Sequence, residues 1–108
     1  MRRTVFVVVV LGLCTGSAFA QDVARGKQIY ADSKCAVCHS IATVGNKKGP
    51  LDTVGSKLMA AEIREWIVNA PDMAAKAKAD RKPPMKSYPN LTKEELDALV
   101  AYLRTLKK

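Results

Sequence analysis

Cys35-Ala36-Val37-Cys38-His39 is the stretch on which the reading of this chain turns. Two cysteines three positions apart occupy one face of a helical turn, roughly 6 Å from each other, and an imidazole follows immediately. C-x-x-C-H at this spacing is the pattern of covalent haem attachment. Both sulfurs reach the two vinyl groups on one edge of the ring, and the histidine lies beneath the iron as an axial ligand. Three other readings compete for the same residues. A thioredoxin-like redox pair sits in a βαβ context, which this chain lacks. A structural zinc site needs four ligands, and past the first twenty residues there is no second histidine or third cysteine. A plain Cys35–Cys38 disulfide leaves His39 without a role. Haem attachment accounts for all three residues.

One histidine leaves a second axial position, and methionine is the soft thioether that fills it in proteins of this chemistry. Met59 and Met73 fall in expected helices, where methionine ordinarily packs gaps. Met85 follows Pro83-Pro84, whose stiff backbone holds a side chain out of a loop. The 46 residues from His39 to Met85 are enough to pass round the edge of the ring and approach its other face. A ring enclosed in this way becomes the interior of a small domain.

The flanks fit a small exported domain. Arg2-Arg3, an apolar run from Val5 to Leu13 and Ser17-Ala18-Phe19-Ala20 make the pattern of a secretory leader over residues 1–20, cut after Ala20. The apolar run is too short for a membrane span, so none is expected once the leader is removed. Cys14 belongs to the leader, because the bulky Leu13 precedes it where a lipoprotein site wants a small residue. Residues 21–108 then form one domain of 88 residues, a size at which a staple or cofactor usually supplements the core. The formal charge drops from +8 to +6 when Arg2 and Arg3 depart. Two haem propionates would bring it to about +4. No nucleic-acid motif accompanies this basic balance, and an acidic protein surface is the better partner.

The expected elements are helical. A first helix starts at Asp22 as N-cap and runs through Gly26, Ile29 and Tyr30 toward Cys35. Gly26 costs helix stability, which a close helix–helix contact would explain. Residues 40–56 carry Gly45-Asn46 and Gly49-Pro50 and read as loop. A helix over 57–69 places Ile63, Trp66, Ile67 and Ala70 at helical spacing, and Pro71 stops it or opens another. Thr92-Lys93-Glu94-Glu95 is a capping box with Leu91 and Leu96 as its staple, and Leu96, Leu99, Val100 and Leu103 follow on one face. No segment alternates as a strand, so the fold class is all-α, with about four helices.

From Asp22 onward the chain resembles the class I c-type cytochromes of the small bacterial monohaem kind. The likeness rests on Gly26 and Tyr30 in the first helix, Cys35-Ala36-Val37-Cys38-His39, Gly49-Pro50-x-Asp52 in a loop, and Met85 ahead of a helix containing Tyr102. It implies the cytochrome c fold, with first and last helices crossing near Gly26 and Tyr102 around one haem c. It also implies His39/Met85 ligation, with the carbonyl of Pro50 accepting from the other nitrogen of His39. Trp66 is either a donor to a haem propionate or a core aromatic. The chain departs from many relatives at Lys86, where they carry proline.

With both axial positions filled, the expected function is one-electron transfer between larger redox proteins and not enzymatic turnover. The alternative is a haem enzyme or gas sensor whose sixth ligand is displaceable. Lys34, Lys47, Lys48, Lys82 and Lys86 fall near the expected haem edge, where they either steer an acidic partner or simply keep the protein soluble. A periplasmic monomer is expected.

Overall fold

The computed structural model of the chain describes Val7, Val9, Gly12 and residues 18–107. The expected leader thus falls largely outside the described residues. Helix α1 (Ala18–Asp32) begins four residues before the anticipated cap at Asp22. Ala18, Phe19 and Ala20 precede that position, and alanine extends a helix at no side-chain entropy cost.

A 3-10 turn at Cys35–Val37 follows α1. Next comes a hairpin that sequence reading missed, with β1 (Ser40–Ile41) antiparallel to β2 (Val44–Gly45) and Ile41 opposite Val44. Its tip holds Ala42 and Thr43 at φ of 49° and 67°. Both are residues that rarely take the left-handed region, so the local sequence carried no turn signal.

The expected helix over 57–69 is two pieces, α2 (Val54–Lys57) and α3 (Ala60–Val68). Extended backbone at Leu58 and Met59 separates them, and the Glu62 carboxylate accepts from the Met59 N–H at 3.2 Å to start α3. Helix α4 (Ala70–Ala77) has Pro71 in its first turn, the second of the two alternatives for that proline. It stops where Lys78 adopts φ 52°. The last helix, α5 (Lys93–Arg104), carries the capping box as read: Glu95 N–H donates to Thr92 Oγ1 at 3.1 Å and Thr92 N–H to Glu95 Oε1 at 3.0 Å. The described residues thus hold five α-helices and one two-stranded hairpin, an all-α domain with one helix more than expected.

The protein-only core lies where α1 crosses α5. At Gly26 a Cβ would collide with the Ala98 carbonyl oxygen and stand 2.6 Å from the Tyr102 Cβ, so only glycine lets the two backbones approach this closely. Beside the crossing, the rings of Tyr30 and Tyr102 meet edge to face at 6.0 Å. Ile63 and Ile67 of α3 join Leu96, Leu99 and Leu103 of α5 in the same buried cluster. An Arg64–Asp97 ion pair ties the outer sides of α3 and α5 together. Helix α2 docks on the end of α5 through the Gly55 N–H, which donates to the Leu106 carbonyl at 2.9 Å.

Candidate functional site

The site is assembled from the end of α1 outward. After Asp32 the chain turns sharply at Lys34, which sits at φ 57°, and enters the 3-10 turn. Cys38 N–H and His39 N–H both donate to the Cys35 carbonyl, at 3.1 and 2.9 Å. This tight turn is what a three-residue spacing needs to bring both sulfurs to one side, with the imidazole next to them. Cys35 and Cys38 are unbridged and half-buried. Burial raises the pKa of the Cys35 thiol above its ordinary value.

Asn46 locks the turn from the hairpin side. Its backbone N–H donates to the carbonyls of Ala36 and His39, both at 3.0 Å, and its side-chain amide donates to the Val37 carbonyl at 3.1 Å. Asp52, the acid of the Gly49-Pro50-x-Asp52 segment, accepts from the Ala42 N–H at 2.6 Å and holds the hairpin tip.

His39 is oriented by the loop after the hairpin. Its Nδ1 lies 3.0 Å from the Gly49 carbonyl, which can only accept, so Nδ1 carries the proton and Nε2 keeps a free lone pair. The acceptor expected from the resemblance was the carbonyl of Pro50, one residue later. The shift has a local cause. Gly49 and Leu51 bracket Ser40 in a parallel bridge, Ser40 N–H to Gly49 O at 3.1 Å and Leu51 N–H to Ser40 O at 2.8 Å, so Gly49 is the residue whose carbonyl points back at His39. Burial lowers the imidazole pKa, and the positive charge of Arg81 adds to this against the opposing pull of the Gly49 hydrogen bond. At neutral pH the ring is the uncharged form, the one able to bind a metal.

These residues open onto an apolar cavity of about 300 Å³ between the helix core and the loops. Cys35, Cys38 and His39 stand on its wall, as do Leu51, Leu58, Ile63, Leu99 and Leu103. The loop after α4 supplies Arg81, Pro83, Pro84, Met85 and Tyr88. Met85 therefore faces the same space as His39. Met59 is 70% exposed, and neither it nor Met73 lines the cavity. Trp66 is half-buried on the cavity wall and is not part of the core cluster.

Sequence reading missed three residues here. Tyr88 pins the Met85 loop: its N–H donates to the Ile67 carbonyl at 2.8 Å, its hydroxyl to the Ser33 carbonyl at 3.5 Å, and the Lys86 ammonium lies 5.3 Å from its ring centre. Arg81 brings a guanidinium to the wall. Tyr30, noted only as part of the first helix and of the resemblance, also faces the cavity. No signal in a single sequence marks a loop tyrosine or arginine for such a task.

The cavity suits a flat, largely apolar group with a metal at its centre. Two thiols, an imidazole with a free Nε2 and a thioether share a wall that is otherwise mostly apolar, with Arg81 its one permanent charge. The Tyr30 hydroxyl is buried without a hydrogen-bond partner among the described residues, and burial, followed by the neighbouring Cys35, pushes its pKa up to about 12. A protein that filled this volume with its own side chains would not leave that group orphaned. No cluster of three or more His, Cys, Asp or Glu side chains suited to a bare metal ion occurs among the described residues.

Residues 23–107 match the family model described as Cytochrome c. Over 92 residues the chain is 28% identical to cytochrome c oxidase subunit 2 of Alkalihalophilus pseudofirmus, covering 77% of this chain and 25% of that protein. Over 52 residues it is 44% identical to cytochrome c2 of Blastochloris viridis, covering 47% of this chain and 39% of that protein. The chain thus spans about a quarter and about two fifths of the lengths of these relatives. No solved structure matches it.

Proposed function

The chain belongs to the cytochrome c family and carries one haem c covalently bound through Cys35 and Cys38, and from that premise we propose a six-coordinate, His39/Met85-ligated electron carrier. The supporting observation is the placement of the methionines: of Met59, Met73 and Met85, the last alone lines the cavity that His39 faces. Bound haem supplies an iron centre that takes up and releases one electron. The protein does the rest. Cys35 and Cys38 would hold the ring, the Gly49 carbonyl holds His39 in the tautomer that binds metal, and the apolar wall would exclude water. The thioether of Met85, a soft donor, favours the reduced state and raises the reduction potential. If His39 and Met85 both held the iron, no position would be left for a substrate, which would argue against the enzyme and gas-sensor alternative.

The partner is proposed to be a redox protein with an acidic docking surface, met by this chain as a monomer. Lys34, Lys47, Lys48, Lys82 and Lys86 are all exposed, and each lies within two residues of a cavity-lining residue or of Gly49. Val37 of the Cys35–Val37 turn and Val44 of the hairpin are also exposed, at 67% and 72%, and add apolar surface to these segments. Such an arrangement steers an acidic partner at low salt and packs against it on contact. Export to the periplasm, with removal of residues 1–20, is proposed from the leader pattern. No helix among the described residues is long and apolar enough to cross a membrane.

The test is the ligand set. Met85→Ala removes the weak long-wavelength sulfur-to-iron absorption and lowers the reduction potential, whereas Met59→Leu and Met73→Leu leave both unchanged. Loss of that band in Met73→Leu, or carbon monoxide binding by the reduced wild-type protein, would overturn the assignment. The intact mass of the exported protein checks both the single haem and the start at Gln21.

A further inference from the structure

One permanently charged side chain lines the cavity. Arg81 is half-buried there, and among the described residues it has no carboxylate or hydrogen-bond partner. Its guanidinium lies against the α-carbon of Gly49: a Cβ on that residue would collide with the guanidinium and with the Cys38 carbonyl oxygen. Gly49 is also the residue whose carbonyl accepts from His39 Nδ1. Arg81 itself belongs to the loop that presents Met85 four residues later. One cation therefore reaches from the methionine loop and rests on the peptide that orients the histidine.

From this placement we infer that Arg81 is a positioning residue of the redox site, which raises the reduction potential by holding fixed positive charge against the Gly49 peptide behind His39. The inference rests on the reading that haem fills this cavity with His39 as a ligand. Its physical basis is Coulombic. Oxidation adds a positive charge at the iron, and a cation held nearby in a largely apolar wall, with no carboxylate of the described residues paired to it, opposes that step. One terminal nitrogen of the guanidinium lies against a glycine that has no side chain to keep it away, which places the charge beside the Gly49 peptide.

The experiment is equilibrium redox titration of the holoprotein, wild type against Arg81→Gln, Arg81→Met and Arg81→Lys, with the sulfur-to-iron absorption recorded throughout. At a fixed ambient potential and low salt, the ratio of reduced to oxidised protein falls about tenfold in both neutral variants. The absorption is retained, and Arg81→Lys stays within about a factor of two or three of wild type, since the charge remains. If one neutral variant fails to fold, the other decides. An unchanged ratio in a neutral variant that keeps the absorption would sink the inference, as would an equal fall in Arg81→Lys. Absence of haem from the wild-type protein would instead remove the reading on which the inference rests, and the intact mass shows which has failed.

Discussion

The α1–α5 crossing and the loops at 40–58 and 79–91 enclose space in opposite ways. At the crossing, protein meets protein: Gly26 lets the backbones touch, the two tyrosine rings interlock, and Leu99 is only 3% exposed. The loops surround a volume that no side chain fills, and Tyr30 leaves its hydroxyl unpartnered at the border between the two regions. The difference separates stability intrinsic to the chain from stability conditional on a cofactor. A short chain able to complete only half of its own interior has little margin left over.

The strongest way to break this comparison is to remove the tether. Cys35→Ala with Cys38→Ala, made without attached haem, loses its net stability entirely, on the order of 5–15 kcal/mol for a domain. Thermal circular dichroism is expected to show no cooperative transition, only residual helicity from α1 and α5. A sharp melt in that variant would mean that the loops support themselves. An intermediate effect is expected on the other side of the divide. Gly26→Ala forces α1 away from Ala98 and Tyr102 and costs about 3 kcal/mol in denaturant unfolding of the holoprotein, with an unaltered haem spectrum. A changed spectrum would show that the two regions are not separable.

The smallest effect sharpens the comparison through pH. Hydrogen bonds from the Thr92 backbone and side chain hold the Glu95 carboxyl below its ordinary pKa. A depressed carboxylate adds stability that is present above its unfolded-state pKa and is lost as the pH falls through its folded value. Glu95→Gln is therefore slightly less stable than wild type near neutrality, and the gap closes in acid. Unfolding midpoints from pH 7 down to pH 3 check this, and a gap that widens in acid would contradict the capping geometry.

Legibility in the sequence followed the same division. Cys35, Cys38, His39, the capping box at Thr92 and the close approach at Gly26 were readable because each depends on local spacing or on a residue type with a single physical use. Met85 was singled out through its prolines; it lines the cavity, and its bond to the iron belongs to the proposal above. The hairpin was hidden because Ala42 and Thr43 take backbone angles that their side chains disfavour. The acceptor of His39 was displaced by one residue because a parallel bridge at Ser40 sets that register, and bridges between distant segments leave no local trace. Arg81 and Tyr88 were invisible for the same reason: their tasks exist only once 79–91 has folded back onto the hairpin loop and α3.

Among the ties of residues 79–91 to the rest of the domain are the Tyr88 N–H to the Ile67 carbonyl and the Ser87 hydroxyl, which accepts from the Ala70 N–H at 3.2 Å. A bond from Met85 to a centre already bound by His39 would close a covalent circuit of 46 residues. In polymer terms it is a crosslink, and a loop of that length corresponds to about 4 kcal/mol of chain entropy if the bond persisted after unfolding. A thioether that detaches on unfolding forfeits that benefit. The methionine segment then becomes the natural first seam to open under heat, ligand competition or mechanical pull.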